Sequence, residues 1–185
     1  MKEIEDYIPR CEQEEVDKQN IMLLCEKFDN LLDRDNSIAH FTSSSWIVNK
    51  QRTKVLMIYH KIYHSWSWTG GHVDGDPDFL QVALREAKEE TGIDVVPVSK
   101  EIIALDILHV VPHIKKGRFL SAHLHLNVTY LMEADENDML IVNEEETNGV
   151  KWIPIEQLDS YISLEDIAML RVYHKLNKRV NEFRK

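Results

Sequence analysis

Cysteine, glycine and long apolar runs are all scarce in this chain, and each shortage closes off a class of protein. Cys11 and Cys25 are the only cysteines among 185 residues. Two cysteines near one end make no disulfide framework, and their spacing fits no zinc module. They read as reduced thiols of an intracellular chain. No apolar stretch approaches the roughly 20 residues that cross a bilayer. The opening segment, MKEIEDYIPRCEQEE, is acidic and lacks the apolar centre of a secretory leader. Repeats and low-complexity tracts are absent as well. The expectation is a soluble, cytoplasmic protein with no membrane partner.

Positive charge is also short. Lysine and arginine number 22 against 32 acidic residues, a formal net charge of -10. Such a surface repels phosphate backbones and argues against binding nucleic acid polymers. A small phosphorylated ligand stays open, because a bound cation reverses the local field.

The apolar share, 43%, is ordinary and supports a packed core. Apolar residues Val16, Leu24, Phe28, Leu31 and Leu32 predict a helix over about 12–32. Its stripe must bury against the rest of the chain or against a second subunit, so a homodimer is one expectation. Turn residues at 33–37 end it. From His40 the pattern turns to strands, with FTSSSWIVN and KVLMIYH forming a hairpin. A glycine-rich turn is expected over 69–76, a helix near 78–91 stopped by Gly92, and a buried strand within 101–111. Strict alternation over 120–132 predicts a strand with one core face and one wetter face. A short strand at 150–154 follows an acidic loop. The tail from Ser163 to about Phe183 reads as an amphipathic helix, with Ser163 and Asp166 at capping-box positions. This order implies an α/β or α+β sandwich around a mixed sheet.

The chemistry concentrates in Gly70–Ile93, GGHVDGDPDFLQVALREAKEETGI. Gly70, Gly71 and Gly75 allow close backbone approach to a ligand. Asp76-Pro77 reads as an N-cap followed by proline at the first helical position. At 100° per residue, Leu80, Ala83, Leu84 and Ala87 form an apolar stripe, and Glu86, Glu89 and Glu90 share an adjoining face. Carboxylates so clustered repel by roughly 0.2–0.5 kcal/mol per pair on an exposed helix, and burial raises that cost. Arg85 relieves part of it. A hard divalent cation relieves more, because Mg²⁺ favours carboxylate and water oxygens. A bare acidic helix is most often a solvated face. Here it follows a glycine loop at fixed spacing.

Gly71, Arg85, Glu86, Glu89, Glu90 and Gly92 stand in the register G-x13-RE-x2-EE-x-G, with Ala87 and Ile93 at apolar places. This resembles the Nudix hydrolase signature, G-x5-E-x7-RE-U-x-EE-x-G-U, where U is apolar. One position departs: Pro77 stands where the family has its first glutamate, flanked by Asp76 and Asp78. The resemblance covers about 40–157. It implies an α/β/α sandwich with a mixed sheet, here carrying N- and C-terminal helices. Residues 1–39 would be a helical extension, and 40–185 the domain. It implies Glu86, Glu89 and Glu90 as ligands of Mg²⁺ or Mn²⁺, with the Gly71 carbonyl as a further ligand, and Arg85 as the residue orienting a glutamate. It also implies a catalytic role for Glu89 and Glu90, and hydrolysis of a nucleoside diphosphate linked to another group.

Other residues stand near this segment. Glu146, in the acidic run Glu144–Glu146, is the best outlying candidate for a base or outer metal contact, although such runs are as often plain solvated loop. Gly70, Gly71 and His72 are candidate substrate contacts. Trp68 is a candidate for stacking on a base, against the commoner outcome of simple packing. His123 and His125 form an HxH pair on one strand face, more often solvated than metal-bound. The expected partner is a small nucleotide-like diphosphate. The alternative is a domain of the same fold that senses a nucleotide without cleaving it, and beyond that an interaction protein whose helix is merely acidic.

Overall fold

A computed structural model describes residues 1–61, 64–115, 117–145 and 147–183 of the chain. The chain begins with α1 (Lys2–Asp6) and α2 (Glu12–Lys27), then β1 (Ala39–Asn49), β2 (Lys54–His60), β3 (Ser65–Ser67) and β4 (Thr69–His72). The helix α3 (Phe79–Thr91) follows, then β5 (Val96–Pro97), β6 (Ala104–Val110), β7 (His113–Lys115), β8 (Arg118–Leu120), β9 (His123–Ala134) and β10 (Thr147–Pro154). The long C-terminal helix is α4 (Ile167–Val180), flanked by short 3₁₀ turns.

β1 is buried along its whole length, so both of its faces need cover. It pairs in parallel with β9 over their common length, from Ala39 opposite Leu124 to Asn49 opposite Ala134. All other pairings are antiparallel, with β10, β2, β1, β9 and β5 side by side. The sheet is mixed, as expected. Alternation then sorts side chains into two cores. Phe41, Ile47, Leu126, Val128, Tyr130 and Met132 pack with Ile21 of α2 and Phe79, Val82 and Ala87 of α3. Trp46, Val48, Met57 and Leu131 pack on the other face with Tyr173, Leu176 and Val180 of α4. Polar residues enter the α3 interface with partners. Ser43 Oγ donates to Phe79 O at 2.7 Å and Ser45 Oγ to Ala83 O at 3.0 Å, seating α3 on β1.

Several local expectations need correction. α2 stops at Lys27, because Phe28 is extended. Val16 is about half exposed, while Ile21 and the carboxylate-bearing Glu14 are the buried positions. The expected turn at 69–76 begins instead as β4, paired with β1 through Thr69 to His72. The face of β9 expected to be wet is dry at Asn127 and Thr129, because α4 covers that side of the sheet. Ser163 does not begin the last helix. α4 starts at Ile167 after Asp166, which makes no side-chain cap bond.

The N-terminal segment folds back onto its own chain. Ile4, Tyr7, Ile21 and Leu31 belong to the core cluster with β1 and α3. Its polar anchor is Glu14, whose carboxylate is fully buried. Arg179 Nη1 donates to Glu14 Oε1 at 2.5 Å, and Tyr7 Oη to Oε2 at 2.7 Å. The backbone amide of Arg10 adds a bond at 3.0 Å, and Lys175 Nζ lies 3.2 Å away. Burial by itself would raise the Glu14 pKa. The Arg179 hydrogen bond, the Arg10 amide and the Lys175 charge outweigh it and hold the group down to about 2.

Removing Glu14 leaves Arg179 as an uncompensated buried charge, so Glu14→Gln should cost about 3–5 kcal/mol at neutral pH. A depressed carboxylate stabilises the fold above its unfolded value of about 4.5, and that share is lost as pH falls towards about 2. Urea denaturation of both proteins should therefore show a wide stability gap at pH 7 that narrows through this window. A gap that stays constant down to pH 3 would refute the role given to Glu14.

Candidate active site

The β4–α3 junction gathers the residues singled out in the sequence. β4 hydrogen-bonds to β1, with Ser43 opposite Gly71 and Ser44 opposite Gly70. The chain then turns through Asp74 and Gly75, both with positive φ (49° and 87°), and enters α3. Asp78, not Asp76, is the N-cap, accepting from the Gln81 amide at 3.0 Å. Pro77 thus precedes the cap. Asp76 accepts from the Asp78 amide at 3.0 Å and holds the turn before it. These bonds order the junction locally where the family's first glutamate is missing. At the far end Gly92 closes the helix in the left-handed conformation at φ 77°.

The three glutamates occupy different environments. Glu90 is buried, 4% exposed, and its Oε2 accepts from the Gly70 amide at 2.9 Å. That bond ties the last turn of α3 to β4. It also commits the Gly70 amide to the protein. Glu86 is half-buried and lies directly against Gly71. A Cβ at residue 71 would stand 2.3 Å from Glu86 Oε2. Glu89 is the outermost, with its side chain 59% exposed. Arg85 lies among the acids, 3.5 Å from Glu86, 3.7 Å from Asp76 and 4.0 Å from Glu89. One guanidinium facing this group leaves the cluster net negative. Oxygen donors on one rigid helix beside a backbone with no Cβ fit a hard divalent cation.

The remaining candidates separate. Trp68 is 8% exposed and meets Tyr173 edge-on at 5.6 Å within the α4-side core, so its indole packs instead of facing a ligand. Trp66 is more open, and Lys151 Nζ sits 4.4 Å from its ring centre. Glu146 lies outside the described residues; Glu144 and Glu145 before it are exposed. His72 follows Gly71 in β4 and, by strand alternation, projects to the opposite sheet face from the one meeting Glu86. Its ring lies 4.9 Å from that of His40 and 5.1 Å from that of His125. His123 and His125 are half-buried, not solvated, and join the same group. The importance of His40 was not legible from sequence. Only the pairing of β1 with β9 puts it opposite His125.

Residues 40–176 match the NUDIX domain. The match covers well over half of the chain, and the protein belongs to the Nudix family. It is 27% identical over 121 residues to the m7GpppN-mRNA hydrolase NUDT17 of Xenopus laevis, an alignment spanning 63% of this chain and 39% of that protein. The fold is similar to that of a C. elegans Ap4A hydrolase in a binary complex (TM-score 0.51, 21% identity, 77% of this chain and 98% of the other). It is also similar to the NUDIX domain of Shewanella oneidensis NrtR with ADP ribose (TM-score 0.50, 17% identity, 76% and 87%).

The two neighbouring glycines of β4 should respond differently to alanine. At Gly71 the atoms nearest the new methyl belong to the flexible end of Glu86, so the fold should survive while the carboxylate is displaced. At Gly70 it meets Ser43 O at 2.7 Å and Ser44 Cα at 2.8 Å, which are backbone atoms of β1. Gly70→Ala should lower the melting temperature by several degrees, and Gly71→Ala should leave it nearly unchanged while weakening the effect of Mg²⁺. Thermal melts with and without Mg²⁺ distinguish the two, and equal melting losses would contradict the geometry.

Proposed function

We propose that the protein is a Mg²⁺- or Mn²⁺-dependent hydrolase that cleaves the phosphoanhydride bond of a nucleoside diphosphate linked to another moiety, acting in the cytoplasm. The observation that carries this reading is the gathering of Glu86, Glu89 and Glu90 on one helix, with Glu86 seated against the bare backbone of Gly71. Family membership supports a hydrolase acting on pyrophosphate bonds. Glu86, Glu89 and Glu90 would hold the cation, with the Gly71 carbonyl as a further oxygen donor. When bound, it supplies charge neutralisation on the phosphate oxygens and acidifies an attacking water.

The chain's own residues do the rest. Glu90, fixed by the Gly70 amide, sets the distance between helix and strand. Arg85 restrains Glu86 and Glu89 and limits their mutual repulsion. Glu89, the most exposed of the three, is the carboxylate on the helix best placed to accept a proton from water. Glu146 is the alternative base from the later loop. No helix among the described residues is long and apolar enough to cross a membrane. The named relatives act on or bind different ligands, so the substrate is best sought on a panel: a cap dinucleotide, dinucleoside polyphosphates and ADP ribose.

Glu89→Gln and Glu90→Gln should each lower turnover by orders of magnitude on whichever panel member is cleaved, with circular dichroism unchanged. Mg²⁺ at millimolar concentration should raise the wild-type melting temperature, because it binds the folded state preferentially. Near-wild-type turnover in both variants would overturn the assignment of α3. A thermal response to nucleotides without any product would instead support a sensing domain.

A further inference from the structure

We propose that His40, His123 and His125 form a second metal site, built for a borderline transition cation such as Zn²⁺, Co²⁺ or Fe²⁺ and distinct from the acidic helix. The placement follows from strand register. His40 of β1 lies directly opposite His125 of β9 in the parallel pair, and His123 shares the His125 face two residues earlier. His72 comes from β4, on the other side of β1, where it pairs with Thr42. The imidazole rings of His40, His123 and His125 lie 5.0–5.2 Å apart, centre to centre. One nitrogen from each lies within 4.8 Å of the others.

Hydrogen bonding orients these nitrogens. His40 Nδ1 lies 2.9 Å from Asn36 O, and His123 Nδ1 lies 2.8 Å from Ser121 O. A carbonyl only accepts, so each Nδ1 carries the proton and each Nε2 of the neutral ring keeps its lone pair. This outer contact is the arrangement that orients metal-bound histidines in proteins. His40 is 4% exposed, and its Nε2 is buried with no hydrogen-bond partner among the described residues. An unsatisfied buried polar atom costs about 1–3 kcal/mol. The chain carries that cost on a ring bordered by His72, His123 and His125.

The donor chemistry selects the ion. Three imidazoles suit Zn²⁺, Fe²⁺, Co²⁺ or Ni²⁺, and not Mg²⁺, which favours oxygen. Tetrahedral metal–nitrogen bonds of about 2.1 Å set ligand nitrogens about 3.4 Å apart. Nitrogens that lie within 4.8 Å therefore close by up to about 1.4 Å, a shift within reach of imidazole ring rotation. Three protein ligands also leave a tetrahedral position for water or a ligand oxygen. His72, next to Gly71 in β4, borders His40 and His125, so the two sites lie on opposite faces of one short strand.

The test is independent of the role given to α3. The full chain, stripped with chelator, is titrated with Co²⁺ and followed by visible absorption and equilibrium dialysis. One equivalent should develop the intense bands of tetrahedral cobalt, be displaced by Zn²⁺, and resist millimolar Mg²⁺. The bands should persist in Glu86→Gln/Glu89→Gln. In His123→Ala/His125→Ala the affinity should fall at least about 100-fold, with an unchanged metal-free melt. X-ray absorption of the zinc-loaded wild type, which needs no variant, should show imidazole nitrogen scattering. Absence of the bands, survival of tight binding without the histidine pair, loss of it with the glutamate pair, or coordination by oxygen alone would each overturn the proposal.

Discussion

The parallel pairing of β1 with β9 is the constraint on which the molecule depends. Its continuous register commits every residue of β1 to one of two faces. On one face the odd-numbered residues meet α2 and α3, and on the other the even-numbered residues meet α4. A slip of one residue would exchange the faces, placing Trp46 against α3 and Ser45 against α4. The same register sets the polar layer between the histidines and the α4-side core. There Asn127 Oδ1 accepts from Thr42 at 2.9 Å and Ser44 at 2.8 Å, and its amide donates to Thr129 at 3.0 Å. Thr42, Ser44, Asn127 and Thr129 therefore form a bonded network, which specifies the register more sharply than apolar residues alone would.

β4 transmits this order to the chemistry. Held by β1 on one side, it offers the Gly70 amide to Glu90 and the bare Gly71 to Glu86. The helix is thus positioned by the very carboxylates it displays. Two serines add a second set of restraints by donating to α3 carbonyls at Phe79 and Ala83. Rigid support of this kind is what holding a cation at fixed distance requires.

What sequence revealed and what it hid divides by range of interaction. The α3 signals are local: cap chemistry, helical spacing, a terminal glycine. They locate the helix and its acids, although the cap lies at Asp78 and Pro77 stands before it, outside the helix. The strand alternation expected over 120–132 is also local and holds from His123 on, whereas Leu120 ends β8 and the exposed residues 121–122 lie between the two strands; which face stays dry depends on α4, which arrives some forty residues later. Glu14 was invisible for the same reason. A glutamate in an acidic helix reads as solvated until a guanidinium from the other end of the chain is placed beside it. Trp68 illustrates the converse, since an aromatic beside a glycine loop can face inward as readily as outward.

The Glu14–Arg179 pair also bears on where this protein can be cut. The stretch matching the family, 40–176, omits both partners, and it omits Ile4 and Ile21 from beneath the sheet. Excising that stretch as a minimal domain would strip cover from one face of β9 and β6 and remove the final turn of α4. The boundary drawn by family likeness is therefore narrower than the cooperative unit. The flanking segments are better regarded as two halves of one clasp, locked across the sheet at the hidden Glu14 carboxylate.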